Sequence, residues 1–173
     1  MNLRLKKIKA DEFLNAFKIM RESFPPDEYR PEKEQRALFS DPRYNVLTYE
    51  SGGETIGFLA VWKFENIGFI EHFAVAEKMR GGGIGAEMLK AAVEYLGENV
   101  CLEVELPETE LARRRIGFYN RNGFYLNDYD YVQPPISAGK NPVPLKIMTT
   151  GGKIPENEYL KIKNLLYKEV YRV

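Results

Sequence analysis

A single cysteine, a single histidine and a single tryptophan stand among the 173 residues. With Cys101 alone no intramolecular disulfide can form, and with His72 as the one imidazole no Cys/His zinc site can be assembled. Charge of either sign is not in excess: Lys+Arg and Asp+Glu both number 25, so no whole-molecule field draws the chain to nucleic acid or to an anionic membrane. No run approaches the ~20 apolar residues that a membrane span needs. The start, Met1-Asn2-Leu3-Arg4-Leu5-Lys6-Lys7, alternates apolar and charged residues and lacks the apolar core of a signal peptide. These absences lead us to expect a cytoplasmic protein with no metal, no nucleic-acid partner and no membrane partner.

What is present is the balance of a globular protein, with 44% hydrophobic and 29% charged residues, and a length that suits one α/β domain spanning 1–173. Residues 3–8 alternate like a strand, and Phe13, Phe17 and Met20 then recur as on one helix face. That helix must stop before Pro25-Pro26, and a shorter one is expected over 31–39, with a loop over 23–30 between them. Strands are expected at 44–50, 55–63 and 68–75, the first two joined by a tight turn at Ser51-Gly52-Gly53-Glu54. Ile84, Met88, Leu89, Ala92, Val93 and Leu96 mark an amphipathic helix, and 100–106 reads as the next strand, so this strand–helix–strand order implies one parallel crossover. A helix over 113–121 capped by Gly123, strands near 124–132 and 144–149, and an added C-terminal helix over 155–171 complete the pattern.

The feature richest in chemistry is Met79-Arg80-Gly81-Gly82-Gly83-Ile84-Gly85-Ala86, lying between a strand and a helix. Residues without side chains let backbone N–H groups converge at a helix N-terminus, where free donors and the positive dipole end favour phosphate. A triphosphate site is excluded because no Lys-Ser or Lys-Thr follows the glycines. A dinucleotide fold draws on Gly83-Ile84-Gly85 and on Glu103, 20 residues beyond Gly83, but Met88 stands where a small residue should permit close packing, and only one crossover is expected. A plain glycine-rich turn is the remaining alternative.

Arg80-x-x-Gly83-x-Gly85 after a strand, followed about 35 residues later by Phe118-Tyr119-x-x-x-Gly123-Phe124, resembles the GNAT family of acyl-CoA N-acyltransferases. The resemblance spans roughly residues 55–132. It implies a mixed α/β fold with a central, mostly antiparallel sheet of about seven strands, one splayed parallel pair, and helices on both faces. It also implies acetyl-CoA as co-substrate, bound by Arg80, Gly81, Gly82, Gly83, Ile84, Gly85 and Ala86, with the backbone of Phe73, Ala74 and Val75 along its pantetheine arm. Tyr119 takes the place of the family tyrosine that protonates the departing thiolate. The asparagine and alanine usual on that helix are replaced by Ala112 and Arg115. Arg113, Arg114 and Arg115 stand there in a row and can meet a 3′-phosphate or simply face water.

Acyl transfer to an amine requires a proton to leave a nitrogen whose pKa is ~10.4 in a lysine-like acceptor. Members of the family place bases on the strands flanking the loop, which makes Glu71, Glu103 and His72 the candidates here, with solvated or hydrogen-bonded strand residues as the alternative. Cys101, in an apolar strand, is not expected to act as a nucleophile. Tyr29, Tyr129 and Tyr131, interleaved with Asp27, Glu28, Asp128 and Asp130, are candidates for an aromatic, anionic acceptor site, or else form an ordinary half-exposed edge. The expected reaction is direct acetyl transfer to a small-molecule or peptide amine in a ternary complex, by a protein compatible with a homodimer. A non-catalytic acyl-CoA-binding module and a nicotinamide-dependent oxidoreductase are the alternatives.

Overall fold

The computed structural model describes residues 4–173, so Leu3, the first residue of the expected opening strand, lies outside the described residues. The chain divides into two compact units, one ending at Val100 and one spanning Cys101–Val173.

In the first unit β1 (Arg4–Lys7), β2 (Tyr44–Ser51), β3 (Glu54–Lys63) and β4 (Gly68–Val75) form an antiparallel meander. The β2–β3 turn has Gly52 at φ +59° and Gly53 at φ +82°, the two left-handed positions that a tight hairpin requires. Phe58, Leu59, Ala60, Val61 and Trp62 are wholly inaccessible, so β3 is covered on both faces. Helices α1 (Leu14–Ser23) and α3 (Ile84–Leu96) both pack on β3 and β4, while the short α2 (Glu32–Ala37) lies between α1 and β2 in the chain. The expected apolar face holds: Phe13, Phe17 and Met20 are buried. After the α3 crossover the chain returns beside the start of β4, where the Gly68 N–H donates to the Asn99 carbonyl at 2.8 Å, opening the parallel pair.

The β3–β4 ladder contains one irregularity. Ala60 faces His72 across it and Val61 faces Ile70, leaving Glu71 as the extra residue of a β-bulge. Neighbours on a regular strand point to opposite faces. Here both Glu71 and His72 meet the segment joining α1 to α2: Glu71 bonds Arg30, and His72 bonds the Glu28 carbonyl.

The second unit contains β5 (Val100–Glu105), which begins at the boundary, with α4 (Glu110–Arg121), β6 (Phe124–Gln133), β7 (Val143–Thr150) and α5 (Glu156–Leu165). The strands pair antiparallel in the order β5-β7-β6. Helix α4 starts three residues earlier than the sequence pattern suggests, because the Thr109 side chain accepts the Ala112 N–H at 3.0 Å and caps it. Gly123, at φ +87°, ends it as expected. Helix α5 continues into a wider π-helical turn, Leu166–Tyr171. Seven strands, mostly antiparallel with one parallel pair, together with these helices give the mixed α/β class that was expected.

Candidate active site

The glycine loop leads into α3, which starts at Ile84 rather than near Gly82. Gly83 occupies the N-cap at φ +80°, and no side chain caps the helix. Gly81, at φ +89°, supplies the second left-handed turn. A Cβ placed at Gly81, Gly82 or Gly83 would meet nothing within 4 Å, and all three residues are exposed. The first turn of a 13-residue helix therefore presents its N–H groups to open space. Ile84 is buried and anchors the turn from beneath. Arg80 donates from Nε to the Val75 carbonyl at 3.0 Å, tying the loop to the end of β4. Within the same first turn Glu87 accepts the Tyr49 hydroxyl at 2.5 Å, and burial together with that carboxylate pushes the phenol up to about 12.

Behind the loop, β4 carries a buried polar cluster. Arg30 Nη1 donates to Glu71 Oε1 at 2.7 Å, and Trp62 Nε1 donates to Glu71 Oε2 at 2.8 Å. Arg30 also reaches Gln35 Oε1 at 3.3 Å, and Gln35 in turn donates to the Tyr44 hydroxyl at 2.8 Å. Burial pushes the Glu71 carboxyl up, but the Arg30 guanidinium and the two donors outweigh it and hold Glu71 below the ordinary carboxylate range. Glu71 is thus no solvated strand residue: it is ionised and both its oxygens are engaged. His72 lies 2.6 Å from the Glu28 carbonyl through Nε2. A carbonyl only accepts, so the proton sits on Nε2 and Nδ1 keeps a lone pair, which is buried and has no hydrogen-bond partner. Burial lowers the imidazole pKa, against the pull of Glu71 and of the Glu28 carbonyl, so the ring is neutral. Phe73, Ala74 and Val75 stand opposite Leu59, Phe58 and Gly57 on β3. Tyr29, the first-unit acceptor candidate, is half-buried edge-on to Phe17.

In the second unit Tyr119 is buried, edge-on to Phe118 and Phe124, and its hydroxyl makes no hydrogen bond among the described residues. Burial pushes this phenol up to about 12 despite the Arg115 charge, so it stays protonated at neutral pH. Glu103 is half-buried and accepts two phenols, Tyr131 on Oε2 at 2.6 Å and Tyr171 on Oε1 at 2.5 Å. Tyr129 stacks on Tyr159 with ring centroids 4.6 Å apart and donates to the Ile154 carbonyl. Asp128 and Asp130 point outward and pair with Lys146. Arg113, Arg114 and Arg115 bond Pro107, Glu110 and Glu105, the paired surface arrangement of the solvated alternative. Cys101 is buried and its thiol pKa is raised by that burial, as an inert thiol requires. Among the described residues no group of three or more His, Cys, Asp or Glu is placed to hold a metal ion.

A family model, the acetyltransferase (GNAT) family, matches residues 10–124. A solved protein of Bacteroides thetaiotaomicron assigned to the same family is 34% identical, over 98% of this chain and 99% of that one, with a TM-score of 0.90. The chain belongs to the GNAT acetyltransferase family. Two further solved structures share the fold. The ribosomal-protein-S18-alanine N-acetyltransferase of Escherichia coli is 16% identical over 90% of this chain and 97% of that one, at TM-score 0.66. A Salmonella typhimurium structure with its cofactor acetyl-CoA is 14% identical over 86% and 93%, at TM-score 0.63. No curated protein matches the sequence.

As a GNAT member the protein is an acetyltransferase, and acetyl-CoA is its co-substrate. The start of α3 fits that molecule's pyrophosphate: it is exposed, lacks Cβ atoms over three residues, is rich in donors and is uncapped by any side chain. Arg30, Trp62, Glu87 and Tyr171 were missed as site neighbours by sequence reasoning. No local pattern announces them: Arg30, Glu87 and Tyr171 meet partners 38 to 68 residues away, and Trp62 meets Glu71 only across the β3–β4 ladder.

Proposed function

We propose that this GNAT member transfers acetyl from acetyl-CoA directly to a primary amine of a small molecule or peptide, in a ternary complex and in the cytoplasm. The observation that carries the reading is the open, uncapped start of α3 behind Gly81-Gly82-Gly83. Backbone N–H groups from Gly81 to Ala86, with Arg80, hold the pyrophosphate, and the Phe73–Val75 backbone lines the pantetheine arm. Tyr119 gives its phenolic proton to the departing thiolate, supported by a buried, protonated hydroxyl that no other group occupies. Of the three candidate bases, Glu103 receives the amine's proton. It is half-exposed and the two phenols on its oxygens are neutral, whereas Glu71 is buried against the Arg30 guanidinium, which holds it ionised, and His72 Nδ1 is sealed from solvent. Glu71 and His72 instead pin the acceptor-side segment around Tyr29 to β4.

The test is calorimetric titration with acetyl-CoA, desulfo-CoA and NADH, on wild type and on Gly82→Glu. Gly82 has space for a side chain and is not at positive φ, so this variant adds a negative charge to the cradle without backbone strain. Acetyl-CoA binding lost by at least about tenfold in the variant supports the site, a penalty of ~1.4 kcal/mol. Equal binding to both proteins overturns it. Thiol release from acetyl-CoA over a panel of polyamines, amino acids and peptide N-termini then separates a transferase from a protein that only binds the coenzyme.

A further inference from the structure

We propose that the C-terminal turn, Leu166–Tyr171, belongs to the catalytic apparatus: Tyr171, together with Tyr131, holds and orients the Glu103 carboxylate as positioning residues. This rests on the reading of Glu103 as the base. Each carboxylate oxygen has its own phenol, Tyr131 on Oε2 at 2.6 Å and Tyr171 on Oε1 at 2.5 Å. Both tyrosines are buried, 3% and 8% exposed, and so reach the carboxylate from within the protein rather than as floating surface side chains. Burial and the neighbouring carboxylate raise the Tyr131 pKa far above its ordinary value, so this phenol acts only as a donor.

The turn that carries Tyr171 is fastened to the strand it packs on. Leu166, Val170 and Tyr171 are buried, so the inner face of the turn carries Tyr171 into the protein. The turn is π-helical over Leu166–Tyr171, a widening frequent at functional sites. Tyr167 fastens the same turn to β6, its hydroxyl on the Val132 carbonyl and its ring 5.9 Å from that of Tyr131. Arg172, at φ +59°, then ends the turn, and the Val173 N–H closes back on the Tyr167 carbonyl at 3.0 Å. Tyr131 and Tyr171 both lie beyond residues 10–124 matched by the family model.

In the acetyl-transfer step an N–H bond of the amine breaks and an O–H bond forms on Glu103. Two fixed donors set where that carboxylate points and how readily it takes the proton. Donors favour the charged form, so removing one raises the Glu103 pKa and moves the acid limb of activity to higher pH. Within this unit the titratable groups facing Glu103 include Tyr131 on β6, Tyr167 and Tyr171 on the C-terminal turn, and Cys101 on its own strand.

The experiment is 13C NMR titration of full-length protein labelled at glutamate Cδ, with the Glu103 signal assigned by its loss in Glu103→Gln. The expected result is a midpoint raised by about one to two pH units in Tyr171→Phe and in Tyr131→Phe, with the acid limb of kcat/KM moving alongside it. An unmoved midpoint in folded Tyr171→Phe overturns the inference. Wild-type thiol release by Glu103→Gln across the amine panel removes Glu103 as the base instead, and with it the catalytic meaning of the turn, even where the midpoints shift.

Discussion

Tyr119 carries its argument in one atom. Its ring packs against Phe118 and Phe124 and would serve equally well as phenylalanine, while the hydroxyl contributes no internal hydrogen bond that the fold needs. Tyr119→Phe should therefore leave stability and acetyl-CoA affinity unchanged within about twofold and lower kcat by roughly 10²-fold or more. Stopped-flow thiol release and calorimetry check the two halves, and equal turnover would remove Tyr119 as the acid. His72 makes a different prediction. The fold keeps it neutral, with a pKa below the ordinary 6.5, whereas the unfolded chain takes up the proton normally. As pH falls through about 6.5 the unfolded state binds more protons than the folded one, so stability drops, by at most about 1.4 kcal/mol per pH unit for one proton. Urea unfolding at pH 7.5, 6.5 and 5.5 should show wild type losing more than His72→Gln, which keeps a donor for the Glu28 carbonyl. Parallel losses would mean that His72 does not titrate in this way.

At the scale of elements, α3 matters most, because its N-terminus is the coenzyme cradle and its position depends on two glycines beneath it. A Cβ at Gly68 would sit 2.6 Å from Leu96 Cβ, close to the helix backbone itself. A Cβ at Gly57 would meet the Met88 sulfur at 2.7 Å and its methyl at 2.8 Å, the far end of a flexible side chain, with the Ala74 carbonyl at 3.0 Å. Gly68→Ala should cost about 1–3 kcal/mol in urea unfolding, and Gly57→Ala less, since Met88 can swing aside. The reverse order would show that the seat of α3 lies elsewhere. These two contacts explain the limits of the sequence pattern. The apolar periodicity of Ile84, Met88, Leu89, Ala92 and Leu96 revealed the helix and its buried face, because those residues repeat within one element. It did not reveal which strand glycines they rest on. The β4 bulge was equally hidden: regular alternation would put Glu71 and His72 on opposite faces, and only the offset pairing with Ala60 and Val61 brings both to the α1–α2 segment.

For the molecule as a whole, Cys101 offers a sensor of cooperativity. Its thiol is buried and its pKa raised, so an aromatic disulfide reagent should leave it essentially unlabelled in the native protein, which also keeps coenzyme-thiol assays free of background. We expect its labelling in urea to follow far-UV circular dichroism in one transition, as a single domain requires. Two separated transitions would instead divide the chain near the Val100/Cys101 boundary.

The amino-acid sequence by itself determined the class of fold, the loop and the family, because hydrophobic period, turn glycines and the two motifs are local: each is set by the neighbours of a residue along the chain. Only the tertiary structure decided the state of the candidate bases. Whether Glu71 is free depends on Arg30, 41 residues away, and on Trp62, while what holds Glu103 depends on Tyr171, 68 residues away. Ionisation answers to burial and to groups within a few ångströms in space, and those distances exist only once the chain has folded.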